Sequence, residues 1–209
     1  MKKTLLMAGI ASLVAFNASA TEYLPYVAAR LARVEVKNDA YQYTIYEGNN
    51  LRYDVVNDKI NDDQFGYRFA AGVMVPLCGG LAESVRAELE YGLINKTHNT
   101  VYLNTIQSKI QTAFANVYYD LDTGTSVTPY VGVGLGYAHI NEKNADVKDS
   151  EDNFAYNVGA GVSVNVSYNM DVEVGYRFTD YGKIKSRTPE YAKRNYDSQE
   201  VLLGLRYTF

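Results

Sequence analysis

The sequence predicts an all-β fold, one eight-stranded antiparallel β-barrel that crosses a membrane on its strands. Three observations predict it. A leader with basic, apolar and small-residue parts marks the chain for export, strand-length stretches alternate between apolar and polar residues, and the connections between them alternate between short and long.

In the leader, Lys2 and Lys3 precede an apolar run from Leu5 to Phe16 and then Ala18-Ser19-Ala20. That order reads as a secretory signal peptide over residues 1–20, cleaved after Ala20. The run is too short to span a bilayer, and no cysteine follows the cut to take a lipid anchor. Residues 21–209 then form a single barrel domain, whose 18 basic residues against 24 acidic ones argue against a nucleic-acid partner. Cys78 is the only cysteine, so no internal disulfide is expected. After Ala20 no stretch offers about 18 consecutive apolar residues, so no transmembrane helix is expected.

The strands follow in order. Near Leu24 to Val34, Val27, Ala29 and Leu31 alternate with Ala28, Arg30 and Ala32. Phe65, Tyr67, Phe69, Ala71, Val73 and Val75 alternate with Gly66, Arg68, Ala70, Gly72 and Met74. Val85, Ala87, Leu89, Tyr91 and Leu93 then face away from Arg86, Glu88, Glu90 and Gly92. A period of two puts these sets on opposite faces of a strand. The fourth stretch, about Ile106 to Leu121, is less regular. Ile110, Thr112 and Phe114 suit an outward face at one end, while Ala115, Val117 and Tyr119 suit it at the other, which predicts a bulge near Ala113. The regular pattern resumes with Val131, Val133, Leu135 and Tyr137 against Tyr130, Gly132, Gly134 and Gly136. Phe154, Tyr156, Val158, Ala160, Val162 and Val164 alternate with Asn157, Gly159, Gly161, Ser163 and Asn165. The last two stretches set Val172, Val174, Tyr176 and Phe178 against Glu173, Gly175, Arg177 and Thr179, and Val201, Leu203, Leu205, Tyr207 and Phe209 against Glu200, Gly204, Arg206 and Thr208.

A soluble β-sandwich alternates in the same way, so the medium needs its own argument. The leader, the aromatic residues expected at strand ends (Tyr91, Tyr137, Phe178, Tyr181 and Tyr207) and the final strand ending at Phe209 favour lipid. Strands of about 9–11 residues suit a tilted crossing, and closure removes the unpaired edges that hydrocarbon penalises. Short turns are expected at Pro76–Leu81, Asp122–Ser126 and Ser167–Asp171, and long polar loops near Glu35–Asp63, Asn95–Thr105, Asn141–Asn153 and Gly182–Asp197. In such barrels long loops face out and short turns face the periplasm, so four extracellular loops and two periplasmic termini are expected.

The runs Asn116-Val117-Tyr118-Tyr119-Asp120, Thr128 to Gly136 and Gly175-Tyr176-Arg177-Phe178, with the terminal Tyr207-Thr208-Phe209, resemble the opacity-protein-like surface antigens of the small OmpA/OmpX-type barrels. The resemblance covers nearly all of residues 21–209. It implies an outer-membrane protein whose Tyr207 and Phe209 form the signal read by the barrel-assembly machinery. It also implies a non-enzymatic role, as an adhesin, surface antigen or envelope-structural barrel, or else as a narrow porin.

On this pattern Arg30, Arg68, Arg86, Glu88, Glu90, Glu173, Arg177, Glu200 and Arg206 point into the lumen. Mixed charge inside a narrow barrel reads either as a structural salt-bridge network or as an ion path. The inward glycines either leave that path open or accommodate opposing arginines. The Gly132-x-Gly134-x-Gly136 spacing is not a nucleotide loop, because these glycines share one strand face. With only His98 and His139, and no cysteine cluster, neither a metal nor another cofactor is expected. A catalytic role would need His139 to meet Glu142 or Asp146 beside a nucleophile, and no enzyme is expected.

The loops remain as binding candidates. The first carries more acid than base, and the fourth carries Lys183, Lys185, Arg187, Lys193 and Arg194 against Glu190 and Asp197. These two loops are expected to lie side by side and attract each other. The basic loop is also a candidate for contact with lipopolysaccharide, outer-membrane lipid or a host or matrix polyanion.

Overall fold

The computed structural model describes residues 23–40, 58–59, 62–77, 83–101, 104–121, 123–144, 147–184 and 194–209. The leader expected over residues 1–20 lies outside them. The strands are β1 (Leu24–Ala40), β2 (Asp58–Lys59), β3 (Asp62–Leu77), β4 (Glu83–Val101), β5 (Asn104–Leu121), β6 (Val127–Asn144), β7 (Val147–Ser167), β8 (Met170–Ile184) and β9 (Arg194–Thr208). Each long strand pairs antiparallel with the next, and β9 returns to pair with β1 from Tyr26↔Thr208 to Asn38↔Tyr196. The sheet is thereby a closed eight-stranded barrel. The two-residue β2 adds only a short ribbon against Asp39 and Ala40 of β1.

The barrel is inside-out relative to a protein that folds in water. Val131, Val133, Leu135 and Tyr137 of β6 are 53–66% exposed, while Arg68, Arg86 and Glu200 are at most 1% exposed. Along β6 the apolar outward face runs eleven residues from Val127 to Tyr137, ten steps along the strand. At about 3.3 Å per residue and a tilt near 40°, that is roughly 25 Å of height, the thickness of an outer-membrane hydrocarbon band. Tyr91, Tyr137 and Tyr207 stand on this outer face. Tyr181 does not: it shares odd parity with Glu173 and Arg177, faces the lumen and is fully buried.

Three further expectations are corrected. The strands run 15–21 residues apart from β2, well beyond the length that lipid requires. The stretches Asn95–Thr105 and Asn141–Asn153, read as polar loops, are largely ladder, because β4 and β5 pair to Val101↔Asn104 and β6 and β7 to Asn144↔Val147. Polar residues on both faces of a ribbon remove the alternation that marks a strand, so water-bathed hairpins read as loops. Finally, β5 has no bulge at Ala113. It runs in unbroken register with β6 from Gln107↔Lys143 to Asp120↔Tyr130, and Ile110, Thr112 and Phe114 face inward and are buried.

Register shifts fall elsewhere, between Ile94 and Thr97 of β4, between Asp180 and Lys183 of β8, and between Asn165 and Ser167 of β7. At the second, Gly182 adopts φ +77°, a conformation that a side chain resists, and its N–H donates to Asp180 Oδ1 at 2.7 Å. The first two sit where the wall divides. The β3–β4 ladder stops at Gly66↔Ile94 and the β7–β8 ladder at Tyr156↔Asp180, whereas the other ladders continue. Among the described residues, the hairpin end of the barrel is therefore two separate sheets, one of β4 to β7 and one of β8, β9, β1 and β3. The opposite end is closed by tight connections such as Tyr168-Asn169, whose Asn169 Nδ2 donates to the Thr208 carbonyl at 2.6 Å.

Candidate functional site

All nine charged residues that parity places inward are buried, and they meet around two carboxylates. Glu173 on β8 receives Arg30 Nε at 3.0 Å and Arg86 Nη1 at 2.8 Å, and lies 3.1 Å from Arg206 Nη1. Glu90 on β4 accepts both Arg177 terminal nitrogens, at 2.6 and 3.0 Å, and Arg30 Nη1 at 3.1 Å. Glu88 takes Arg30 in a two-pronged contact at 2.9 and 3.0 Å, and Arg68 ion-pairs with Glu200. These contacts cross the lumen, so strands that are not neighbours in the wall are tied through its centre.

The network contains residues that the sequence pattern left out. Arg86 grips Asp120 with Nε and Nη2 at 2.7 and 2.8 Å, and its guanidinium carbon stands 4.8 Å from the Tyr118 ring centre and 5.1 Å from that of Tyr130. Tyr26, Tyr118 and Asn116 donate to Glu88 at 3.0–3.2 Å. Asp120, Tyr118 and Asn116 are all on β5, where the mistaken bulge hid their parity. The register of Glu88 opposite Asn116 is the signal that restores it. Among the described residues, five arginines (30, 68, 86, 177, 206) and five acids (Glu88, Glu90, Glu173, Glu200, Asp120) are buried together, and the partly buried Asp171 adds a sixth acid at 3.0 Å from Arg206. Buried charge is tolerable only in this paired and hydrogen-bonded form.

The inward glycines make room for these side chains. A Cβ on Gly132 would stand 2.2 Å from the Tyr118 ring, and one on Gly134 would stand 1.9 Å from Asn116 Oδ1. Gly161 and Gly175 both underlie the Tyr130 hydroxyl, and Gly204 underlies Arg30. The Gly-x-Gly-x-Gly strand is thus the floor on which β5 side chains lie. Between Arg30, Tyr118, Tyr130, Asn157 and Arg177 a cavity of only about 10 Å³ remains, about enough for one water.

Towards the hairpin end the lumen also holds an apolar cluster, interleaved with the buried Thr179, Ser198 and Glu200. Val34, Ile94, Ile110, Phe114, Ile140 and Leu202 form one buried cluster with the ring of Tyr181. The Tyr181 hydroxyl turns down to Ser198 and Glu200, at 3.0 and 3.2 Å. This layer accounts for the misreading of β5, since apolar residues that fill a lumen look like residues that face lipid.

Of the basic loop candidates, Lys183 stands opposite Asn195 on β8 and Arg194 opposite Ile184 on β9, while Lys185, Arg187 and Lys193 lie outside the described residues. Most of the acidic first loop lies outside them too, although β1 and β9 pair as far as Asn38↔Tyr196 and bring the two loop bases together. His139 bonds through Nδ1 to Asp152, its cross-strand partner, on the outer face of β6 and β7. Tyr207 and Phe209 pack edge to face at 5.2 Å, and the Phe209 N–H donates to the Pro25 carbonyl at 2.9 Å.

Comparison with known proteins bears on this architecture. The family model for the outer membrane protein beta-barrel domain matches residues 3–209. Outer membrane protein PagN of Salmonella typhimurium is 29% identical over 122 residues, which are 49% of this chain and 51% of that protein. A Rickettsia prowazekii adhesin candidate is 24% identical over 72% of this chain and 81% of its own length. The chain spans about half the length of the first curated relatives it matches. In fold it is similar to Neisserial surface protein A, with a TM-score of 0.62 at 22% identity over 88% of this chain and 97% of that one. It is also similar to Ail, the attachment invasion locus protein of Yersinia pestis, in complex with the heparin analogue sucrose octasulfate, with a TM-score of 0.54 at 15% identity over 90% and 99% of the two chains.

Proposed function

We propose, from the premise that this chain belongs to the outer membrane protein beta-barrel family, that it is a non-enzymatic surface protein which binds a host or matrix ligand at its hairpin end. It resides in the outer membrane. The observation that carries the reading is the contrast between its two parts. The lumen is filled by paired charge and sealed by an apolar layer, while the wall rises beyond the apolar band as two sheets bearing the connections. A rigid scaffold that holds loops by their ends is how such folds present binding residues.

In this reading residues 1–20 are the cleaved export signal, the short turns and both termini face the periplasm, and Tyr207 and Phe209 are presented to the barrel-assembly machinery. The basic fourth loop, with Lys183, Lys185, Arg187, Lys193 and Arg194, takes a sulfated or phosphorylated polyanion. The heparin-analogue complex of Ail supports that ligand class by analogy of fold. Display of the chain on a non-adherent bacterial host tests the reading. Attachment to immobilised sulfated polysaccharide above that of the host is expected, and none from a chain shown to be on the surface overturns it.

The porin alternative has its own test. In a planar bilayer the refolded barrel is expected to be electrically silent, because an ion entering the lumen meets both a closed salt-bridge network and an apolar layer. Steady single-channel conductance, altered by joint replacement of Arg86 and Glu88 with alanine, would establish the alternative.

A further inference from the structure

We propose that Asp180 is the positioning residue of the basic hairpin: its carboxylate fixes a bulge in β8 that moves the residues beyond it, Lys183 first, from the inward row of the wall to the outward row. The inference rests on the polyanion reading given above and names what aims that loop. It starts from parity. Along β8 the odd-numbered Glu173, Arg177, Thr179 and Tyr181 are buried in the lumen, so an unbroken strand would turn inward again at Lys183. The ladder with β9 breaks that rhythm. Asp180 stands opposite Asp197 and Lys183 opposite Asn195, three steps on β8 against two on β9. β9 itself runs in regular register with β1 from Thr208 to Tyr196, and its odd-numbered Val201, Leu203 and Leu205 face outward. The one extra residue in β8 therefore places Lys183 in the outward row beside Asn195, because a shift of one residue exchanges the faces of a strand.

Hydrogen bonds hold the bulge. Gly182, at φ +77°, donates its N–H to Asp180 Oδ1 at 2.7 Å, and Asp180 Oδ2 accepts from the Tyr156 hydroxyl at 3.1 Å. Tyr156↔Asp180 is the last rung between β7 and β8, so one carboxylate joins the end of that ladder to the point where β8 leaves it. Two constraints favour glycine at 182: a side chain resists that φ, and a Cβ there would lie 3.1 Å from the Phe154 carbonyl oxygen. Charge does not account for an acid at 180. Its cross-strand neighbour on β9 is Asp197, and like charges opposite each other are unfavourable. Beside a hairpin that carries Lys183, Lys185, Arg187, Lys193 and Arg194, an acid would also repel a polyanion. What the carboxylate supplies is two acceptors at the place where the strand changes row.

Beyond the bulge β8 continues with β9 to Ile184↔Arg194, in the sheet of β8, β9, β1 and β3. The first base of the hairpin then belongs to the row that looks away from the lumen, where an extended polyanion can reach it. Without the extra residue the same lysine would take the inward row after Tyr181, over the apolar cluster, where an unpaired charge is costly.

Binding of the refolded barrel to immobilised heparin, with the register read by nuclear magnetic resonance, tests the proposal. In the parent protein a cross-strand contact between the Lys183 and Asn195 backbones is expected. Asp180→Ala should abolish that contact and weaken heparin binding about tenfold, the equivalent of one charge-assisted hydrogen bond. Asp180→Asn keeps an acceptor for the Gly182 N–H and should retain both contact and binding, whereas Gly182→Ala should behave like Asp180→Ala. The sign separates positioning from charge, since removing an acid that only repelled the ligand would tighten binding. Asp152→Ala, which removes another acid of the outer face without touching the bulge, should not weaken it. Heat-modifiable gel mobility confirms that each variant is folded. Asp180→Ala that binds as tightly as the parent, or that keeps the Lys183 to Asn195 contact, would overturn the proposal, and so would Asp180→Asn as weak as Asp180→Ala. A parent barrel that ignores heparin overturns the polyanion reading instead, and the backbone contact in the variants then decides the bulge by itself.

Discussion

Replacing Glu173 with alanine is expected to cost the barrel about 3–5 kcal/mol, the penalty for stranding buried charge after its partner is removed. The effect is large because Glu173 serves three guanidiniums, those of Arg30, Arg86 and Arg206, from strands β1, β4 and β9. Urea unfolding of the refolded barrel in lipid measures it. Asp152→Ala, which removes an exposed acid from the outer face, is expected to fall within about 0.5 kcal/mol of the parent protein and serves as the control. Adding Arg86→Ala to Glu173→Ala should cost less than the sum of the two single changes, because residues in one network do not act independently. Additive losses, or a Glu173→Ala barrel as stable as its parent, would show that water reaches the network.

Replacing residues 185–193 with a glycine-serine linker of the same length is expected to reduce attachment to immobilised sulfated polysaccharide at least tenfold while leaving the unfolding curve in place. The segment holds Lys185, Arg187 and Lys193, and its replacement leaves Lys183 and Arg194 at the ends of an uncharged connection. Residual attachment by the parent protein should fall as salt rises, because exposed charges are screened over about 10 Å at 0.1 M ionic strength. Salt-insensitive attachment, or attachment that survives the replacement, would move the ligand site away from the basic loop. The tyrosines of the first loop, Tyr41, Tyr43, Tyr46 and Tyr53, would then be the next residues to replace.

Local chemistry explains which parts of the barrel could be read in advance. Seven strands were legible because lipid on one side and a charged lumen on the other impose unlike residues at every second position. Phe69 beside Arg68, or Leu89 beside Glu88 and Glu90, cannot exchange faces without placing charge in hydrocarbon. The fourth strand was not legible, because Phe114 and Ile110 are apolar and face inward, into a layer assembled from β1, β4, β6, β8 and β9 as well. No window of sequence around Phe114 contains the residues that make its surroundings apolar.

The candidate site divides in the same way. Parity alone placed Arg30, Arg86, Glu90, Glu173 and Arg177 on the inward face, but it could not say which met which. Arg30 and Glu173 are 143 residues apart in the chain, and only closure of β9 onto β1 and the stagger of the strands bring them within 3.0 Å. Whether the inward glycines were holes or seats depended equally on partners across the wall, such as Tyr118 over Gly132 and Tyr130 over Gly161.

The sequence by itself determined the membrane barrel, the inward face of seven strands and the residue types that fill the lumen, because each of these follows from the contrast between neighbouring positions. The tertiary structure alone decided that the lumen is shut and that the hairpin end splits into two sheets. Those features depend on the sizes and charges of side chains from strands distant in the chain, and on where ladders stop, and a period of two carries no information about either.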